Sequence, residues 1–325
     1  MATGWEPRNL SKSQIEDGLN YHNAIYHDGD IKNPAKWHLD SVSHLIKLAL
    51  PHIRDGSIIV DYGSGTGGSA IELLKILDKK GISVELILID PLESWFSKAR
   101  DILGSRNDVH FELSIKVDHN NKVTFRTLEE MLGQRKVDLI ISSSTLHLIP
   151  LNVISDLIMQ FKTSLVDEGV FIWDSGDIED PSRGENTSLL HQPFREIRKF
   201  IMNDYDRKNL VSKMDISEYN IMEEKIDRIF PESQLINNYE EIFTENGLSS
   251  EFHSLVVNFS YDDMERFILV PRLSEIALPL PPGNQRELKI KQYLKMVFEK
   301  MIESGSADRN FFRSHWTYGI HKKIY

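Results

Sequence analysis

Ser57-Ile58-Ile59-Val60-Asp61-Tyr62-Gly63-Ser64-Gly65-Thr66-Gly67-Gly68 decides how this chain is read, together with Leu86-Ile87-Leu88-Ile89-Asp90 further on. An apolar run ends in an acid, turns through glycines and enters a helix; a second apolar run then ends in another acid. Both runs are continuously apolar rather than alternating, which marks strands buried on both faces of a parallel sheet. The glycines allow positive φ and let a ligand approach the backbone without meeting a Cβ. Asp90 closes the strand beside the first, where a carboxylate can take both hydroxyls of a ribose. The pattern implies a nucleoside-binding crevice in an α/β fold.

Gly63-x-Gly65-x-x-Gly68 also satisfies the dinucleotide fingerprint. Asp61, two positions before the first glycine, separates the two readings. A dinucleotide site sets a pyrophosphate against this loop, and a carboxylate there repels it. A cofactor carrying an ammonium and a sulfonium is attracted instead. Asp61, Gly63, Gly65 and Gly67, followed by a strand and Asp90, resemble motif I and the ribose acid of the class I S-adenosylmethionine-dependent methyltransferases. A nicotinamide enzyme is the competing reading.

The resemblance implies a Rossmann-like, mostly parallel sheet of seven strands, the last antiparallel, with helices on both faces. It implies S-adenosyl-L-methionine as cofactor, with Asp61 serving its amine and Asp90 its ribose. Gly63, Gly65 and Gly67 form the loop, while Gly68 serves the cofactor or simply close helix–sheet packing. The family places a short acidic or polar residue by the adenine; here Thr127-Leu128-Glu129 is the nearest match, with Thr127 and Leu128 assigned to the cofactor, a departure from an acid. Ser142, Ser143 and Ser144 end the fourth strand, which in the family faces the transferable methyl group, and Ser142 is assigned to the cofactor.

Net charge is −11 over 325 residues, and the basic clusters, such as Lys289-Ile290-Lys291, are short. A phosphate backbone usually needs a concentrated basic surface, so a nucleic-acid substrate is disfavoured and a small molecule expected. With no cysteine, disulfides and thiolate metal sites are excluded. Histidine and acid spacings match no metal motif, so no metal is expected. No apolar run approaches the ~20 residues that cross a bilayer. Met1-Ala2-Thr3-Gly4-Trp5-Glu6-Pro7 lacks a basic and an apolar signal region, which sets cytoplasm as the expected compartment.

Periodicity divides the chain into an N-terminal helical lid (1–50), a cofactor-binding core (51–175), a helical insertion (176–236), a core helix and strand (237–261), a second helical insertion (262–304) and a closing strand (305–325). Ser13 reads as an N-cap, and Pro91 as the opening of a helix. Residues 109–126 read as a strand or hairpin around Asp118-His119-Asn120-Asn121, and 176–236 shows no strand candidate. Pro279-Leu280-Pro281-Pro282-Gly283 breaks the second insertion into two helices. In the implied topology both insertions leave the sheet at its carboxyl edge, so they are expected to roof the site. Such a roof encloses a small substrate, or else forms a dimerisation subdomain; a homodimer stays open.

Several residues carry two readings each. His147 is a base or substrate-orienting group, or a satisfied structural histidine. Tyr21 and Tyr26 belong to a segment faintly similar to the lid of the salicylate/benzoate-type carboxyl methyltransferases. Tyr21 is assigned to the cofactor and Tyr26 to the substrate. Ser144 and Trp173 are placed with the substrate, though a tryptophan is as readily core. The expected activity is methyl transfer to an oxygen or nitrogen of a small molecule. A nucleic-acid methyltransferase and a non-catalytic cofactor-binding partner are the alternatives.

Overall fold

The computed structural model describes residues 1–7, 10–117, 119–120, 122–229, 231–278, 280 and 283–324. The first residues form a short strand, β1 (Thr3–Gly4), followed by helices α1 (Lys12–Ile25) and α2 (Lys36–Ala49). The alternating core then runs β2 (Ser57–Tyr62), α3 (Gly68–Lys80), β3 (Val84–Asp90), α4 (Glu93–Leu103) and β4 (Val109–Leu113). A hairpin, β5 (Ile115–Val117) and β6 (Val123–Phe125), leads to α5 (Leu128–Leu132), β7 (Val137–Ser143), α6 (Leu151–Ser164) and β8 (Leu165–Ser175). The first insertion holds β9 (Ile178–Glu179), α7 (Gln192–Ile201), α8 (Tyr205–Val211), α9 (Ile216–Ile229) and β10 (Gln234–Leu235). After α10 (Ile236–Glu245) and β11 (Leu248–Ser260) come α11 (Tyr261–Ile268), α12 (Pro271–Ala277) and α13 (Asn284–Glu303), and β12 (Phe311–Lys323) closes the sheet.

The sheet order is β1-β4-β3-β2-β7-β8-β12-β11, with β12 antiparallel to both neighbours and the strands from β1 to β8 parallel. Seven of these strands follow the expected topology. The eighth, β1, is a correction to the expected seven: it adds to the outer edge of β4, pairing Thr3 with His110. Gly4 makes this possible. Its φ is +91°, and a Cβ there would lie 1.9 Å from the Phe111 carbonyl oxygen. Trp5 then stacks on Phe96 at 5.2 Å.

Other boundaries moved. The N-terminal helical stretch is two helices, and Ser11, not Ser13, caps the first in a capping box with Gln14. Pro91 lies outside α4, which begins at Glu93. The stretch 176–236 does contain strands: β9 and β10 pair in parallel, Ile178 against Gln234. Two-residue strands in polar sequence carry no periodicity, so pattern alone misses them. The second insertion has three helices rather than two. Of its expected break, Pro279, Pro281 and Pro282 lie outside the described residues, as do Asp118 and Asn121 of the hairpin turn and the terminal Tyr325.

Two apolar clusters cover the two faces. One unites the sheet with α1 to α4 and the insertion helices; the other packs α5, α6 and α10 on the opposite face. The two insertions also join each other. Lys289 meets Asp204 at 2.7 Å and Lys300 meets Glu196 at 2.8 Å, tying α13 to the first insertion. Among the described residues no helix is long and apolar enough to cross a membrane.

Candidate functional site

Three of the parallel strands, β2, β3 and β8, deliver an acid to the same edge. Asp61 and Asp174 are fully buried and Asp90 is 4% exposed. Between the first two runs the loop holds Gly63, Gly65 and Gly67 at φ +76°, +54° and +81°. A Cβ on Gly63 would strike the Thr145 side chain at 2.2 Å, whereas Gly65 has only the Trp95 ring within 4 Å, at 3.7 Å. The backbone at Gly65 is therefore a cradle that a side chain would fill. Gly67 is the N-cap of α3 and makes no side-chain cap, so the helix start faces the edge with its amides.

Asp90 has both oxygens engaged, whereas Asp61 and Asp174 each keep one buried oxygen without a partner. Asp90 accepts from Gly65 N through Oδ2 and from Leu92 N through Oδ1, both at 2.7 Å. Asp61 Oδ2 accepts from Ser69 Oγ at 2.8 Å, and its Oδ1 is buried without a partner. Asp174 Oδ1 accepts from Ser143 Oγ at 3.0 Å and Ser144 N at 2.9 Å, and its Oδ2 is likewise buried without a partner. Burial pushes Asp61 up to about 7, with the charge of Asp90 adding to it. Burial also pushes Asp174 up to about 7, with the charge of Asp61 adding, and Asp90 up to about 6. A buried carboxylate without a counter-charge is costly, so this edge is built to receive a cation or a hydrogen-bond donor.

Helix α1 lies over the edge. Gly18 lets it press onto α4, since a Cβ there would be 2.2 Å from the Ser94 carbonyl oxygen. Asp17 accepts from Trp95 Nε1 at 2.8 Å and from Arg272 N at 3.2 Å, binding α1 to α4 and α12. One turn on, Tyr21 stacks on Trp95 at 3.9 Å and lies 6.2 Å from Phe267 of α11. Its hydroxyl is pushed up to about 12 by burial, then by the charges of Asp90 and Asp174. Tyr21 is thus brought among the acids. Phe267 also meets Trp37 at 5.8 Å and Phe194 at 5.9 Å, so both insertions contribute to the cover.

The remaining residues singled out in the sequence are distributed differently. Tyr26 is fully buried, and its hydroxyl donates to Glu72 Oε1 at 2.8 Å, pinning α1 to α3 rather than facing a substrate. Ser142 Oγ donates to the Tyr62 carbonyl at 2.8 Å and bridges two strands. Ser144 has φ +52°, and its amide reaches Asp174. Thr127 caps α5 through Glu130 N, and Leu128 is buried in the second apolar cluster with its amide donating to Gln160 Oε1. The Thr127 hydroxyl is thus an acceptor in the cap, and the Leu128 side chain lies in the core. Trp173 faces away: strand alternation puts it opposite Asp174, and its Nε1 donates to His321 Nε2 at 2.7 Å within the core.

His147 also lies on the far face. It bonds to Ser175 Oγ at 2.9 Å and its ring is 5.1 Å from His191, which approaches Asp177 at 3.2 Å; Arg195 pairs with Asp177 at 2.6 Å. Burial pushes His147 down to about 3, so it is neutral. Its Nδ1 is thus engaged by Ser175, the neighbour of Asp174 on β8 whose side chain points to the opposite face. Sequence reasoning missed Asp174, although its signal was the one used for Asp61 and Asp90: an acid one residue past an apolar run. Trp95, Trp316 and Phe267 had no comparable signal. Among the described residues no cluster of histidines and acids could hold a metal ion.

No protein-family model matches the chain, and no curated protein matches it in sequence. Solved structures do match its fold. Phosphoethanolamine N-methyltransferase 2 of Haemonchus contortus, in complex with S-adenosyl-L-methionine, superposes with TM-score 0.51 at 11% identity, covering 97% of this chain and 59% of that one. A cyclopropane synthase from Mycobacterium tuberculosis gives TM-score 0.50 at 11% identity, covering 97% of this chain and all (100%) of that one. The YcgJ protein of Bacillus subtilis gives 0.50 at 13% identity, over 88% and 99% of the two chains. At these identities the likeness is one of fold: a Rossmann-like sheet shared with S-adenosylmethionine-dependent methyltransferases.

Proposed function

We propose that this chain, built on the class I methyltransferase fold, transfers a methyl group from S-adenosyl-L-methionine to an oxygen or nitrogen of a small molecule. The observation that carries the reading is the carboxyl edge itself. A left-handed glycine loop is bonded through Gly65 N to Asp90, and the second oxygen of Asp61 is buried beside it without a partner. The residues fit the cofactor. Asp61 would hold its ammonium, Gly65 gives the methionine portion room, and Asp90 would take the ribose hydroxyls. A pyrophosphate would meet three buried acids here, which argues against a dinucleotide.

When bound, the cofactor supplies an electrophilic methyl group on a sulfonium. The protein's own task is then alignment: a nucleophile held ~3–3.5 Å from that methyl gains much of the rate from proximity. The backbone at Ser144 and the Asp174 carboxylate stand at the acceptor end of the edge. Helix α1, with Tyr21 inward, keeps water from it. With the cover closed as described, entry of either ligand requires α1 to move.

Calorimetry against S-adenosylmethionine and NADH is the direct test, followed by release of S-adenosylhomocysteine in a metabolite extract. Binding of the first and silence toward the second are expected. Tight nicotinamide binding with no response to S-adenosylmethionine would remove the reading. Binding of RNA or DNA that falls steeply with salt would move the acceptor to a nucleic acid.

A further inference from the structure

We propose that the methyl acceptor is a small organic amine, held as its ammonium by Asp174 Oδ2 beneath an aromatic cover made by Tyr21, Trp37, Phe267 and Trp316. This rests on the methyltransferase reading and narrows it to one substrate class.

Asp174 is wholly buried at the end of β8, and its outer oxygen has no partner. Across the strand pair, Tyr318 stands opposite it. One step further along, Trp316 crowds Gly176, where a Cβ would lie 2.8 Å from the indole ring. Alternation puts Asp174, Tyr318 and Trp316 on one face, the face on which Asp61 and the glycine loop lie. Tyr318 spends its hydroxyl on the Ser41 carbonyl at 3.1 Å, so it does not serve Asp174. Three of the four rings touch in series, Tyr21 lying 6.2 Å from Phe267 and Phe267 5.8 Å from Trp37, while Trp316 stands against Gly176, two residues past Asp174.

An acid floor under aromatic rings is the arrangement that attracts an organic cation, through the charge and through the ring faces. The same arrangement rejects anions. The partnered oxygens of Asp61 and Asp174 bond to neutral donors, so a carboxylate, phenolate or phosphate acceptor would meet uncompensated negative charge.

The chemistry balances without a further reactant. The bound ammonium gives one proton to Asp174 Oδ2, freeing the nitrogen lone pair. That pair forms the N–C bond to the methyl carbon as the C–S bond breaks, its electrons returning to sulfur. The products are the N-methylated ammonium, S-adenosylhomocysteine and a proton on Asp174, which is released to solvent when the cover opens. The position of Asp174 near 7 suits it to accept and release that proton.

The test uses the full chain saturated with S-adenosylhomocysteine and titrated with three probes sharing one ring: benzylamine, benzyl alcohol and benzoate. Benzylamine is expected to bind at least tenfold more tightly than either other probe. Asp174→Asn should erase that preference while keeping affinity for S-adenosylhomocysteine within about threefold. The proposal is overturned if benzyl alcohol or benzoate binds as well as benzylamine, if benzylamine does not bind, or if the preference survives in Asp174→Asn. These outcomes in wild-type protein need no variant to fold. Failure of S-adenosylhomocysteine itself to bind would instead bring down the methyltransferase reading, and this inference with it.

Discussion

Asp90 is the residue whose role is most sharply testable. Its two oxygens already accept backbone amides at 2.7 Å, which fixes the carboxylate in one orientation at the loop. Two charge-assisted hydrogen bonds to a ribose contribute about 1.5–3 kcal/mol each. Asp90→Ala should therefore weaken S-adenosylmethionine binding by about a hundredfold or more in calorimetry. An affinity within twofold of wild type would show that the ribose lies elsewhere. The buried acids also set a pH dependence. Asp61 and Asp174 hold protons up to about 7 when folded, against an ordinary aspartate value of 3.8. The folded state binds more protons across that interval, so this contribution to stability is complete below 3.8 and lost as pH rises through 7. Buried histidines run the other way. His22 at about 4 and His147 at about 3, against 6.5 unfolded, stabilise above 6.5 and lose that contribution as pH falls through their folded values. Well above pH 7 both contributions are constant, and between about 4 and 7 they oppose each other, so the Asp174 term is read as a difference. In the ligand-free protein the melting temperature of wild type should lose ground to Asp174→Asn as pH rises from about 4 to 7, and the gap should level off above 7. An equal slope in wild type and variant would show that Asp174 does not titrate in this range.

At the scale of elements, α1 is the piece on which the site depends and the one most loosely specified by pattern. Its docking rests on close approach at Gly18 and on Asp17 bonding to both α4 and α12. Gly18→Val puts side-chain atoms into the Ser94 carbonyl, a backbone group that cannot rotate away. We expect it to lift α1 without unfolding the sheet: amide exchange should quicken in residues 12–25 and stay slow in β2, β3 and β7. Cofactor affinity should drop at least tenfold, because Tyr21 leaves the edge with the helix. Unchanged exchange and affinity would mean that α1 is held by other contacts and does not govern the site. The helix itself was legible, although pattern places its start at Ser13, two residues past the Ser11–Gln14 capping box that the structure uses. Its destination was not, because a glycine and an aspartate on one helix face say nothing about which backbone they will meet.

At the scale of the molecule, both insertions and the N-terminal helices converge on one edge because of connectivity. Chain leaving β8 and chain passing from β11 to β12 both emerge where the parallel strands end, and there they pair with each other, Lys289 to Asp204 and Lys300 to Glu196. The sequence by itself determined the alternating core, the glycine loop, Asp61 and Asp90. These are local: apolar runs of strand length, positive-φ glycines and an acid at a strand end each follow from neighbouring residues. Only the tertiary structure decided the rest. It turned Trp173 to the far face, because neighbouring strand positions alternate in direction, and set His147 against Ser175 of that face. It consumed Thr127 in a helix cap and Tyr26 in a bond to Glu72. It raised Asp174 to a third buried acid and brought Tyr21, Phe267 and Trp37 from three separate helices into one run of aromatic contacts. A strand's burial is written in its own residues, whereas a pocket is the meeting of residues far apart in the chain, and only packing brings those together.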